Sequence, residues 1–232
     1  MYSLFSKHIK KEFSFLNNSK LLVCVSGGID SMVLINLLKK LKYNISIAHC
    51  NFNLRLKKSD LDENFVKKYA TSNSIPFFSK SFITKLPKQS IQMAARNLRY
   101  KWFYDVLKTE KLDYIITAHH LDDSLETFIL NLSRASGLEG LTGIKQLNDL
   151  IARPLLIFSK DQIIKYAKAN NIKWREDSTN KKNVYQRNQI RNKIIPPLKK
   201  LHPKFIDQTK KTMTFLRESN LIINTYIQQI KN

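Results

Sequence analysis

Short apolar segments alternate with longer amphipathic ones along the first 135 residues, and that alternation narrows the folds open to the chain more than any other feature. Leu21–Ser26, Asn44–Cys50, Pro76–Phe82 and Asp113–Ala118 have the length and apolar content of buried strands. Residues 31–41, 60–71 and 123–135 carry apolar side chains at helical spacing. So does a helix capped by Ser90, whose apolar positions include Ile91, Ala94, Ala95, Leu98, Trp102, Phe103, Val106 and Leu107. A strand followed by a helix returns by a crossover, parallel to the strand it left. The expected fold class is therefore α/β: a doubly wound, mostly parallel sheet flanked by helices. Residues 1–20 read as one further amphipathic helix, with Leu4, Phe5, Ile9, Phe13 and Leu16 on one face.

From Ile151 the pattern changes. Arg153-Pro-Leu-Leu156 reads as a short edge element, and Ser159 caps a helix over 160–171. A polar loop, Trp174–Asn180, precedes a basic helix from Gln186 to Ile195 that Pro196-Pro197 is expected to stop. Phe205–Ile230 reads as one long helix without Gly or Pro. The chain is thus expected to divide into residues 1–200, which hold the sheet, and residues 201–232, a C-terminal helical extension. A lone helix cannot build its own core, so it must pack back, meet a partner chain or lead to a further domain.

The first strand runs into Ser26-Gly27-Gly28-Ile29-Asp30-Ser31 and then directly into a helix. Two glycines allow a tight turn and a close ligand approach. The helix start offers unpaired N–H groups and the positive end of a dipole, an arrangement suited to an anion. Ser26 and Ser31 add hydroxyl donors, and Asp30 can hold a cation that accompanies a phosphate. Ligands of doubly wound sheets sit beyond the carboxyl ends of the strands. That rule gathers four regions: Ser26–Ser31, His49–Arg55, the start of the Ser90 helix and His119–Glu126.

Charge points to the partner. The formal net charge is +22. Residues 1–152 contribute +9 and the much shorter stretch 153–232 contributes +13. Such an excess suits a polyanion, nucleic acid first among them, with a generally lysine-rich proteome as the plain alternative. The two cysteines, Cys24 and Cys50, fall in strand segments without C-x-x-C spacing, which excludes a zinc or redox motif and leaves small buried side chains. No apolar run approaches a membrane span, and Met1–Lys11 lacks the apolar core of a signal peptide, so a cytoplasmic protein is expected.

Ser-Gly-Gly-x-Asp-Ser after a strand resembles the pyrophosphate loop (PP-loop) of the N-type ATP pyrophosphatases, and differs from G-x-x-x-x-G-K-[ST] and from G-x-G-x-x-G. Four further segments sharpen the resemblance. They are His49-Cys-Asn-Phe-Asn-Leu-Arg55, Gln92-Met-Ala-Ala-Arg-Asn-Leu-Arg-Tyr100, Thr117-Ala-His-His-Leu-Asp-Asp-Ser-Leu-Glu-Thr127 and Arg187-Asn-Gln-Ile-Arg191. In this order they resemble the tRNA(Ile)-lysidine synthetases, from about Leu21 to Pro196. The resemblance implies an adenine nucleotide alpha hydrolase-like fold. It also implies a ligase that uses ATP and Mg²⁺ to attach free L-lysine to C2 of the wobble cytidine of isoleucine tRNA, through an adenylated cytidine.

Carried onto this chain, the resemblance assigns catalysis to Asp30, Arg96 and Asp123, with Asp30 and Asp123 as metal ligands. Ser26, Gly27, Gly28, Asp30, Ser31 and His119 would bind ATP. His49, Asn51, Arg55, Arg99, His120, Glu126, Arg187 and Arg191 would bind tRNA or substrate. The acid that takes the lysine proton stays open among Asp30, Asp122, Asp123 and Glu126. A homodimer stays open too, and no membrane is involved.

Three departures stand out. The family often has Glu before Ala-Ala-Arg, where Gln92 or Met93 stands here. Its Arg-Gly after the fourth-strand helix is Arg134-Ala135 here. Many members carry further C-terminal domains that grip the tRNA, so residues 201–232 read as a linker or as the start of such a domain. Rival readings are a tRNA-thiolating enzyme on the same loop, a glutamine-hydrolysing synthetase of the same superfamily, and a non-catalytic RNA-binding protein that keeps the ATP fold.

Overall fold

The expected alternation is realised as a six-stranded sheet of order β3-β2-β1-β4-β6-β5 in a computed structural model that describes residues 1–52, 57–82, 91–176, 186–202 and 204–231. The strands are β1 (Lys20–Cys24), β2 (Asn44–Asn51), β3 (Phe77–Ser81), β4 (Tyr114–Ile116), β5 (Leu147–Asn148) and β6 (Ile151–Ala152). Among the described residues only the β5–β6 pair is antiparallel. β1 is central, with Val23 opposite both Ile47 and Ile116, and Leu21, Leu22 and Val23 are fully buried. Being covered on both faces is why this strand reads as a continuous apolar run.

The chain forms two compact units. The first comprises Met1–Ala118, Gln146–Leu155 and Asp161–Glu176 and contains the whole sheet. Its helices are α1 (Tyr2–Glu12), α2 (Ile29–Lys40), α3 (Lys57–Ser72), α4 (Ile91–Thr109) and α6 (Lys160–Ala169), the last reaching the unit from Asp161. α2 buries Met32 to Ile35 together with Leu37 and Leu38. Each such side chain contributes roughly 2 kcal/mol relative to an exposed one. A further core joins Leu22, Ala48 and Ile115 of the sheet to Trp102, Phe103, Val106 and Leu107 of α4.

The second unit comprises His119–Lys145, Leu156–Lys160 and Asp177–Asn232. It holds α5 (Leu121–Leu132), a 3₁₀ turn (Leu138–Thr142), α7 (Gln186–Gln189), a π turn (Ile190–Ile194), α8 (Ile195–Leu201) and α9 (Phe205–Lys231). Leu125, Ile190 and Ile195 form its core with Ile129, Leu130, Phe205 and Ile206 around them. The first half of α9 is held there: Met213 is 1% exposed and Arg217 Nε donates to the Thr142 carbonyl at 2.8 Å. From Leu221 to Ile230 every residue of α9 is exposed.

Three expectations are corrected. Residues 1–20 are not one helix: α1 ends at Glu12 and a 3₁₀ turn, Ser14–Leu16, buries Phe13 and Leu16 before β1. The Pro pair does not stop the basic helix. Pro196 and Pro197 occupy the first positions of α8, where a missing N–H costs nothing. The break lies earlier, in the π turn. Arg153–Leu156 is not an edge element either: it follows β6, which β5 separates from that edge of the sheet, and Arg153 to Leu156 are buried. The helix expected after Ser90 begins at Ile91, and Ser90 itself lies outside the described residues, as does most of the Trp174–Asn180 loop beyond Glu176. Among the described residues no helix is long and apolar enough to cross a membrane.

Candidate active site

In the first unit, the Ser26–Ser31 loop joins β1 to α2. Gly27 has φ +86°, and a Cβ there would lie 3.3 Å from Val66 Cγ2, so backbone and packing against α3 both require glycine. Gly28 begins α2 in extended conformation and brings no side chain over the helix start. Ser31 is buried, and its hydroxyl donates to the Gly28 carbonyl at 2.9 Å. The Gly28 N–H donates to Ser26 Oγ at 3.3 Å. The two hydroxyls thus shape the turn as well as lying beside it. Asp30 sits in the first turn of α2, half-buried.

β2 supplies the neighbouring groups. His49 is buried, and its Nδ1 lies 2.8 Å from the Val25 carbonyl. A carbonyl only accepts, so Nδ1 carries the proton and the neutral ring keeps Nε2 as an acceptor. Burial pushes the His49 pKa down, against the Val25 hydrogen bond and the charges of Glu63 and Asp62. Asn51 donates to Asp60 Oδ1 at 3.1 Å and to Glu63 Oε2 at 3.0 Å, which fixes its amide to α3. Arg55 lies outside the described residues.

On α4, Arg96 is exposed and its guanidinium lies 4.7 Å from the centre of the Tyr100 ring. Arg99 stacks at 5.1 Å over Phe52, and it pulls the Cys50 pKa down against the larger effect of burial. Burial raises the Cys50 pKa to about 12 and pushes Cys24 well up as well, so both thiols stay protonated.

The other sequence candidates lie in the second unit. The Asp123 carboxylate accepts the His120 N–H at 3.0 Å, closing the start of α5, and Arg191 Nη2 lies 3.3 Å away. Burial, the largest influence on Asp123, would raise its pKa. His120 and His119, the His120 N–H and Arg187 outweigh it and hold Asp123 below the ordinary value. Glu126 is 1% exposed and accepts from both Arg187 (Nε, 2.9 Å) and Arg191 (Nε, 2.5 Å). The two arginines expected on phosphates are therefore tied to α5 through a buried carboxylate, with 38% and 36% of their side chains exposed. Asp122 has a separate occupation: it accepts the Lys160 N–H at 2.7 Å and pairs with Lys199 Nζ at 3.0 Å.

Two cations were not singled out by sequence. Arg153 is 6% exposed, and burial lowers its pKa against the hydrogen bond and charge of Tyr100. Arg175 pairs through Nε with Asp62, and its N–H donates to the Gly27 carbonyl at 3.0 Å.

The glycine turn fits a polyphosphate, because a Cβ at Gly27 would disturb it and, among the described residues, no side chain caps the α2 start. For Mg²⁺, Asp30 fits the usual one-or-two-carboxylate pattern in which phosphates supply further ligands. Asp123 fits less readily, since both its oxygens already accept. Among the described residues no group of three or more His, Cys, Asp or Glu gathers as a metal cage.

Comparison with known proteins places this architecture. The PP-loop domain family matches residues 1–198. A tRNA(Ile)-lysidine synthase of Bacteroides thetaiotaomicron is 38% identical over 97% of this chain and 54% of its own length. One from Porphyromonas gingivalis W83 is 42% identical over 78% of this chain and 41% of its own, and one from Petrotoga mobilis 36% identical over 96% and 74%. The chain spans about half the length of the first of these relatives. Among solved structures, a U34-tRNA thiolase from Methanococcus maripaludis, with its 4Fe-4S cluster, shares the fold: TM-score 0.74 at 21% identity, covering 93% of this chain and 79% of that one. With the strand–glycine turn–helix at Ser26–Ser31, these matches place the chain in the PP-loop family and, within it, among the tRNA(Ile)-lysidine synthases.

Proposed function

We propose that the chain performs ATP-dependent ligation of L-lysine to C2 of the wobble cytidine of isoleucine tRNA. The observation that carries this reading is the Ser26–Ser31 turn: a glycine at φ +86° and a helix start that no side chain caps among the described residues, in a chain whose relatives are tRNA(Ile)-lysidine synthases. The cytosine O2 attacks the α-phosphorus of ATP and pyrophosphate leaves. The lysine amine then adds at C2 and AMP leaves. Ser26, Gly27, Gly28 and Ser31 hold the pyrophosphate, whose developing charge meets fixed N–H donors. Mg²⁺ on Asp30 would neutralise charge on the leaving pyrophosphate. Arg96 presents a planar guanidinium steadied by Tyr100, suited to a phosphate or to developing negative charge. In this reading His119 would contact ATP, His49, Asn51, Arg99, His120, Glu126, Arg187 and Arg191 would contact tRNA or substrate, and Asp123, held below the ordinary carboxylate pKa, would act in catalysis.

The basic surface of residues 153–232 receives the tRNA backbone, in a cytoplasmic setting. Residues 1–200 would act as the catalytic part and residues 201–232 as a linker helix. A homodimer would have an apolar surface available on α9, where Ile223, Ile227 and Ile230 are 47%, 40% and 67% exposed.

Thiolation is disfavoured by the cysteines: the chain has two, both with raised pKa values, too few to hold a 4Fe-4S cluster. The deciding experiment incubates the protein with ATP, Mg²⁺, lysine and isoleucine tRNA and measures the mass of the wobble base. Lysine addition is expected, and sulfur addition or an unchanged base refutes the proposal. Asp30→Asn, near-isosteric at a helix start, should keep the fold and lose most pyrophosphate release.

A further inference from the structure

Arg175 follows Trp174 in a segment that the reading above gives no task. Three observations tie it to the glycine turn. Its backbone N–H donates to the Gly27 carbonyl at 3.0 Å. Its guanidinium pairs through Nε with Asp62 of α3, whose side chain is 12% exposed. The same stretch of α3 walls the turn, since a Cβ on Gly27 would lie 3.3 Å from Val66, 3.6 Å from Phe65 and 3.8 Å from the Asp62 carbonyl.

We propose that Arg175 and Asp62 form a brace that sets the orientation of the Gly27–Gly28 peptide, making both positioning residues of the pyrophosphate loop. The peptide group is planar, so the Gly27 carbonyl and the Gly28 N–H point to opposite sides of one rigid plate. Holding the carbonyl against the Arg175 N–H therefore aims the Gly28 N–H. Apart from the brace the plate is held by the long 3.3 Å bond from the Gly28 N–H to Ser26 Oγ, and a glycine pair has little rotational preference of its own, so loss of the brace loosens it. The salt link anchors the donor. Arg175 lies 113 residues from Asp62 in sequence, and the charged pair holds its segment on α3 while the backbone bond holds the turn. The brace contacts no substrate; it acts by having the donor aimed before the ligand arrives.

This inference rests on the reading of Ser26–Ser31 as a polyphosphate site, and the test separates the two. Binding of ATP, inorganic pyrophosphate and adenosine to the full chain is measured by calorimetry for the parent, Arg175→Met, Asp62→Asn and the exchanged pair Asp62→Arg/Arg175→Asp. Parent protein that binds neither ATP nor pyrophosphate overturns the loop reading itself. Given parent binding, each single variant should weaken ATP and pyrophosphate about tenfold, the loss of one charge-assisted contact. Adenosine, which lacks phosphates, should bind them as it binds the parent. The exchanged pair should recover part of the lost affinity. Unchanged pyrophosphate affinity in both single variants overturns the brace, and so does an equal loss for adenosine, which would mean general loosening. Asp62→Asn conserves volume, so the test survives if Arg175→Met fails to fold.

Discussion

Arg191 reaches Glu126 with two nitrogens, Nε at 2.5 Å from Oε1 and Nη2 at 3.0 Å from Oε2. Arg187 reaches the same carboxylate from the preceding turn. One buried anion thus fixes both arginines of the basic segment to α5. Replacing Glu126 by Gln leaves two guanidiniums side by side over an uncharged amide. The cost should be about 2 kcal/mol, below that of a fully enclosed pair because both guanidiniums are over a third exposed and can rehydrate. Urea unfolding measures it; an unchanged midpoint would mean that the pair holds nothing together.

Ala135 offers a gain in stability. The end of α5 closes with the Ser136 N–H on the Asn131 carbonyl and the Ala135 N–H on the Leu132 carbonyl, the pattern that usually has Gly in the left-handed position. Ala135 has φ +53°, where the resembling family has Gly. Ala135→Gly should stabilise the protein by about 1 kcal/mol, raising the thermal midpoint by a few degrees.

His49 makes stability depend on pH. Its pKa is lowered in the folded chain, so the unfolded chain takes up a proton first as pH falls. Fewer protons bound in the folded state means that stability rises with pH. This contribution should be complete above about pH 6.5 and be lost as pH falls through the depressed folded value. His49→Gln should flatten that part of a stability-against-pH curve. NMR should find the ring neutral with its proton on Nδ1.

Binding of tRNA should be strongly salt-dependent. If residues 153–232, at net +13, neutralise about six phosphates, affinity should drop about 10³-fold between 50 and 200 mM salt. A flat salt response in filter binding would remove the charge of this stretch from the recognition argument.

The arrangement of strands was legible because burial on both faces makes Leu21–Val25 a continuous apolar run, and because Gly27-Gly28 marks a turn where Gly27 needs a positive φ. The fate of Pro196-Pro197 was not, since a proline that ends one helix and a proline that opens the next look alike in sequence. Nothing in the local sequence singles out Arg153, in its short edge element, or Arg175, in its polar loop. Their partners, Asp62 and Tyr100, are far away in sequence, and no local periodicity announces such a pairing. Arg187 and Arg191 were legible as a pair but not as a pair facing Glu126, because helical spacing gives a face and does not say what that face meets.

The bonds of Asp122 also bear on how the chain is born. Its two donors, Lys160 and Lys199, lie 38 and 77 residues downstream. At ribosomal speeds of about 5–20 residues per second, Lys199 is polymerised on the order of 4–15 s after Asp122. The last strand of the sheet is complete at Ala152, long before that. The sheet can therefore assemble while α5 still waits for its helical partners, and Asp122 and Glu126 stay hydrated until Arg187, Arg191 and Lys199 have been polymerised.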